Sequence, residues 1–204
     1  MNRLFRKLSL AVVSASAVFL LSPNFAHAQD IYAVTGGRTT ATLSKAFLAD
    51  LTKAGIIANP VAGSQLLGDQ ITFPIASGAI SLETAKGQIL HGGGLRLTTS
   101  KKEIRLFGFV ANTLGEESTI TALAEANGKF LGRITVFDLT LPDDLKLPID
   151  PSDGDFLLAG VNWNLDPQGA AALNDAFGID VFTNNLYIGH SLSLAFVPLN
   201  ADGI

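Results

Sequence analysis

The sequence predicts a mainly β, α+β fold: an antiparallel β-rich, sandwich-like domain carrying two short α-helices. Three observations carry the prediction. Runs between residues 71 and 141 alternate apolar and polar residues with the period of a half-buried strand. Asn127-Gly128 separates two of these runs, and that dipeptide supplies the positive φ angles of a two-residue hairpin turn. Segments at about 44–54 and 167–177 have helical spacing with start and stop signals at their ends.

Taken in order, the first helix opens at Ser44, whose hydroxyl can accept from an amide of the first turn. Phe47, Leu48 and Leu51 share one stripe, and Gly55 supplies the stop. Ile71-Thr72-Phe73-Pro74-Ile75 then places Ile, Phe and Ile on one face, with Pro74 arguing for an edge or a bulge. Ser77-Gly78 reads as a turn before Ala79–Leu82, and Gly87–His91 is the next strand. Gly92-Gly93-Gly94 bends the chain into Leu95–Thr98, and Ser100-Lys101-Lys102 is read as a solvated hairpin tip. In Glu103–Asn112, Ile104 and Leu106 alternate with Arg105, Phe107 and Phe109. Thr119–Ala126 and Lys129–Leu141 complete a meander through Asn127-Gly128. Pro142–Gly154, rich in Pro and Asp, reads as a surface loop and not as a domain boundary, because the residues after it are too few for a separate core. The second helix is capped by Asp166, has Pro167 at its first position and stops at Gly178, and Tyr187–Val197 is an apolar strand.

The two helices share a pattern. Leu43-Ser44, Leu51, Ala54 and Gly55-Ile56 match Leu165-Asp166, Leu173, Ala176 and Gly178-Ile179 with one insertion at Phe177. Two readings stand: an internal pseudo-repeat of strand–helix–strand units, or two ordinary capped amphipathic helices.

Residues 1–28 read as a secretory signal. Arg3, Arg6 and Lys7 precede an apolar stretch, Leu8–Leu21, that is shorter than the roughly 20 residues of a membrane span. Ser22-Pro23-Asn24 breaks it, and Ala26-His27-Ala28 offers small residues for cleavage after Ala28. Residues 29–204 then form a single β-rich exported domain, secreted or periplasmic, with no membrane span. Loss of the three signal cations leaves 11 basic against 18 acidic residues, a net charge of −7. Without a basic stripe, nucleic acid is not an expected partner. The chain has no cysteine, which excludes disulfides, thiolate catalysis and Cys-ligated metals.

Few side chains suit catalysis. The predicted mature domain has two histidines, His91 and His190, and two tyrosines, Tyr32 and Tyr187. No nucleophile elbow, His-Glu-x-x-His or phosphate loop occurs, so no catalytic residue is assigned and no enzyme is expected. The acidic stretch Asp143, Asp144, Asp150, Asp153 and Asp155 lacks the spacing of a calcium loop and suits an ordinary turn; the chain's metal content stays unassigned. Trp163 and Tyr187 read as packing residues, and Tyr187 can reach His190 only if Gly189 marks a bulge. His91 is the candidate binding residue, with Gly93 beside it: it ends an apolar strand at a glycine bend where a ligand or another backbone could approach closely. Its imidazole can serve as a metal or haem ligand or as support for one, or it can simply be satisfied by a backbone carbonyl.

The stretch Ile71-Thr-Phe-Pro-Ile75, Gly78, Gly87-Gln-Ile-Leu-His91-Gly-Gly-Gly-Leu95-Arg-Leu97 resembles the HtaA-type domains of bacterial haem-acquisition proteins, over about residues 71–140. It also looks like uncharacterised secreted actinobacterial proteins of this length. The resemblance implies an HtaA-like fold, a haem site, and a histidine at the position of His91 supporting a tyrosine ligand. The tyrosine does not carry over: Phe47 stands on the helix where a ligand would be, and neither Tyr32 nor Tyr187 matches by register. The expectation is therefore a non-enzymatic exported domain binding haem or another apolar ligand around His91. The alternatives are a cell-envelope structural or protein-interaction module without a small-molecule site, and a small secreted hydrolase.

Overall fold

The computed structural model describes residues 31–151 and 154–198. The segment read as a signal, residues 1–28, lies outside the described residues.

The strands are β1 (Ile31–Val34), β2 (Gly36–Leu43), β3 (Ile57–Val61), β4 (Gln65–Leu67), β5 (Gln70–Ser81), β6 (Lys86–His91), β7 (Gly94–Thr98), β8 (Glu103–Asn112), β9 (Ser118–Ala126), β10 (Lys129–Thr140), β11 (Asp155–Leu165) and β12 (Tyr187–Phe196). The helices are α1 (Lys45–Lys53) and α2 (Pro167–Phe177). All pairings are antiparallel, and the fold is β-rich with two short helices, as the sequence predicts. Eight strands close on themselves in the order β5-β2-β12-β11-β10-β9-β8-β6, with β6 returning to β5. β1 and β4 lie beside β5, and β7 extends from β8 to carry β3.

Closure needs curvature, and bulges supply it. Register shifts occur in β5, β8, β10, β11 and β12. Two local expectations change as a result. Ser77-Gly78 is not a turn: β5 runs through it, bulged between Ile75 and Ser77, and Gly78 lets the carbonyl of Gln88 pass where a Cβ would stand. Phe109 does not stay on the face of Arg105. The bulge between Phe107 and Val110 reverses the phase, and Phe109 enters the core against Phe73 at 5.0 Å between ring centroids.

Both helix caps form as predicted. Ser44 Oγ accepts from the Phe47 amide and Asp166 Oδ1 from the Gln168 amide, while Gly178 ends α2 with φ +65°. Each helix follows a strand whose last residue, Leu43 or Leu165, is buried, and β2 and β11 flank β12 on either side. The units differ afterwards, because α1 leads into β3 and β4 before β5, whereas α2 leads directly into β12. Lys102 does more than solvate a hairpin tip: its Nζ donates at 2.9 Å to the Phe177 carbonyl, where the negative end of the α2 dipole favours a cation.

The strand Asp155–Leu165, which the sequence reading leaves unassigned, pairs with both β10 and β12. Before it, the Pro- and Asp-rich segment passes the end of β5, where the Ile149 amide donates to the Leu82 carbonyl at 2.8 Å. Ile149 is buried there, so the segment is a strap tied to the barrel and not a free loop.

Candidate functional site

Barrel geometry brings together side chains that are remote in sequence. His91 ends β6 and points inward, 8% exposed. Thr39 lies opposite Ser193 in the β2–β12 register, so their hydroxyls meet across the ladder at 2.8 Å. Thr39 Oγ1 also lies 2.8 Å from His91 Nε2. Ser191 sits two residues before Ser193 on the same inward face, and its Oγ accepts from the Trp163 indole N–H at 3.0 Å. Trp163 packs on Phe137 with ring centroids 5.3 Å apart.

His91, Thr39, Ser191, Ser193 and Trp163 border an interior cavity of about 50 Å³. Apart from Thr113, whose hydroxyl donates to the Ala85 carbonyl at 2.7 Å and accepts from the Gly87 amide, the remaining lining is apolar, including Ile80, Ile89, Leu139, Leu141 and Leu158, and it contains no carboxylate, lysine or arginine. A hydrogen-bonding corner in a largely apolar chamber is the arrangement that orients a small guest.

Burial sets the chemistry of His91. Desolvation lowers its pKa from 6.5 to about 4, and the backbone carbonyls of Phe109 and Ile89 oppose that shift only partly. The imidazole is neutral at pH 7, and a base this weak is a poor proton acceptor there. Thr39 thus meets half of the hydrolase alternative, a hydroxyl beside the imidazole. The groups behind the ring are backbone carbonyls, not the carboxylate that a triad uses.

The same shift fixes a pH dependence. The unfolded histidine binds its proton near pH 6.5 and the folded one only near 4, so stability is full above about 6.5 and falls as pH drops through that window. The loss amounts to about 3 kcal/mol once pH is below 4. Asp138 acts in the opposite sense, since burial and the neighbouring Asp166 and Glu117 raise its pKa and acid relieves it. In urea unfolding at pH 4 to 7, His91→Gln is expected to lose most of the wild-type slope between 4 and 6.5. An unchanged slope in the variant would show that His91 does not carry it.

The other sequence candidates separate from this centre. Gly93, at φ +74°, packs on the turn at Ser64, whose Oγ accepts from the Gly94 amide at 2.9 Å, and it does not line the His91 cavity. Phe47 belongs to a second apolar space on the helix side, with Phe73, Phe109 and Trp163 among its walls, and meets Phe182 with the rings tilted at 52°. His190 and Tyr187 lie on the exposed side of β12, where a register shift between Trp163 and Asn164 brings Tyr187 Oη within 3.5 Å of His190 Nδ1. Among the described residues, no group of three or more His, Asp or Glu side chains is placed to hold a metal ion. Asp153 of the acidic stretch lies outside the described residues.

Thr39, Ser191 and Ser193 escaped the sequence reading. The sequence reading assigns no strand to the run that holds Thr39, and the one signal for Ser191 and Ser193 is polar residues alternating through Tyr187–Val197, read as an apolar strand.

Fold and site together define a closed antiparallel barrel with a buried polar corner in an apolar interior, and the solved structures that it matches share this HtaA-like fold. The C-terminal domain of HtaA from Corynebacterium glutamicum aligns with a TM-score of 0.64 at 16% identity, over 82% of this chain and 99% of that one. The N-terminal domain of HtaA from the same organism gives 0.62 at 11% identity, over 81% and 99%. The haem-binding protein HtaB from the same organism gives 0.56 at 11% identity, over 83% and 96%. No protein-family model matches the sequence, and no curated protein matches it. No helix among the described residues is long and apolar enough to cross a membrane.

Proposed function

We propose that this chain is an exported, non-enzymatic binding module that holds a small apolar molecule inside the barrel beside His91. The observation that carries this reading is the interior cavity, apolar except for the His91–Thr39–Ser193 chain, the Ser191–Trp163 pair and Thr113, whose hydroxyl is bonded to backbone.

Haem enters consideration through the likeness to HtaB, but the residues present fit it poorly. A cavity of about 50 Å³ has room for roughly four water-sized groups, far less than a tetrapyrrole. His91 Nε2 is engaged by Thr39, and the helix position that the family resemblance assigns to a tyrosine is Phe47, facing the other apolar space.

A haemin titration followed by visible absorption is expected to give no saturable Soret shift. The same chain saturated with 2-methyl-1-butene, an apolar probe of suitable size, is expected to melt at a higher temperature. A saturable Soret shift that His91→Ala abolishes would overturn the small-guest reading in favour of haem. Absence of any stabilisation by the apolar probe would overturn it in favour of a module without an interior site.

One observation favours such a module. The outer face of β11 and β12 exposes Leu157, Leu192 and Phe196, at 58%, 44% and 45%, with Leu157 opposite Leu194 across the ladder. Contiguous apolar side chains on a strand exterior suit a protein partner in the envelope. Leu157→Lys with Leu192→Lys separates the readings, since it removes association at that face and leaves the interior intact.

A further inference from the structure

Resting on the interior-site reading, we infer that the guest is a neutral molecule of about four to five non-hydrogen atoms carrying one acceptor oxygen, a short ketone or alcohol, and that the Ser191 hydroxyl is its anchor. Among the polar side chains of the cavity wall, Thr113 is satisfied by neighbouring backbone, its O–H donating to the Ala85 carbonyl at 2.7 Å. The Trp163 N–H is spent on Ser191 Oγ. Ser191 makes no other side-chain hydrogen bond among the described residues, so its own O–H has no acceptor, and the residue is 3% exposed. A buried hydroxyl proton without a partner costs free energy that a ligand oxygen recovers.

Ser193 adds a second polar point on the same face. It ends the chain that runs through Thr39 to His91, so one of its hydrogen-bonding groups stays unspent whichever ring nitrogen of His91 carries the proton. Two serines at alternate positions of β12 therefore present unspent hydrogen-bonding groups to one apolar chamber. Charge is excluded on the ligand side. No charged side chain lines the cavity, and an ion would lose its hydration without a counter-charge.

The chain's single tryptophan is Trp163, so its indole N–H gives one resonance that reports from the cavity wall. We would titrate the full chain with 2-butanone and with 2-methyl-1-butene, which replaces the carbonyl oxygen by a methylene of similar size, and follow that resonance. Ser191→Ala is expected to weaken 2-butanone about fivefold, the worth of one hydrogen bond, and to leave 2-methyl-1-butene within about twofold. Ser191→Thr, which keeps the hydroxyl, is expected to restore ketone binding and guards against a variant that merely packs badly. Equal weakening of both probes, or an unaffected ketone, would overturn the anchor while leaving the interior site standing. Binding of the hydrocarbon without the ketone would do the same. Failure of both probes in the wild type would remove the interior-site reading itself.

Discussion

Replacing Trp163 with alanine is expected to cost about 3–5 kcal/mol of stability, the range for truncating a buried aromatic side chain. The indole is 6% exposed and lines both the His91 cavity and the apolar space on the helix side. Its removal joins the two spaces, deprives Phe137 of its neighbour and takes the N–H from Ser191. Little nearby can collapse into the gap, because the strands around it are fixed by their ladders. Urea unfolding followed by far-ultraviolet circular dichroism measures the change. A loss below about 1 kcal/mol would mean that the barrel relaxes into the space, and that the indole is not the wall between the two chambers.

Gly189→Ala is expected to destabilise by about 2–4 kcal/mol through the backbone alone. Gly189 has φ +153°, a conformation that L-residues rarely adopt, and a Cβ there would fall on the carbonyl oxygen of Thr42 and lie 3.1 Å from the Leu43 Cα. The obstacle is main chain of the partner strand, so β2 must move off β12 to make room. That movement opens the seam at which Thr39 meets Ser193, and it loosens the Ser44 amide from the Ile188 carbonyl. A lowered melting temperature with faster amide exchange along β2 is the expected result. An unchanged melting temperature would show that the seam tolerates the shift.

Much of the local structure was legible because its causes are local. Ser44 and Asp166 cap their helices whatever packs around them, and Gly178 takes the left-handed angle that ends α2. Asn127 and Gly128 adopt positive φ, at 52° and 79°, as a two-residue hairpin turn requires. The HtaA-like fold could be named from the glycine and apolar spacing around His91, and His91 stood out by ending an apolar strand. Its partners did not. Thr39 is 52 residues from His91 and 154 from Ser193, so no local pattern joins them. The bulges were also illegible. Ser77-Gly78 carries the same residue types in a turn and in a bulged strand, and only the presence of β6 and β1 on either side of β5 selects the latter.

β12 marks the boundary most clearly. The sequence by itself determined that an apolar strand occupies Tyr187–Val197, and the strand found spans Tyr187–Phe196. Alternation has two phases of equal quality, and ordinary hydrophobicity would turn Leu192, Leu194 and Phe196 inward. The barrel turns Ser191, Ser193 and Ala195 inward instead and leaves Leu192 and Phe196 exposed. The reason is space: the interior already holds His91 and Trp163, so the facing strand must contribute small side chains, and each serine oxygen there makes one hydrogen bond, to Trp163 or to Thr39. Which face of that strand binds and which is bare was decided only when the ladder closed.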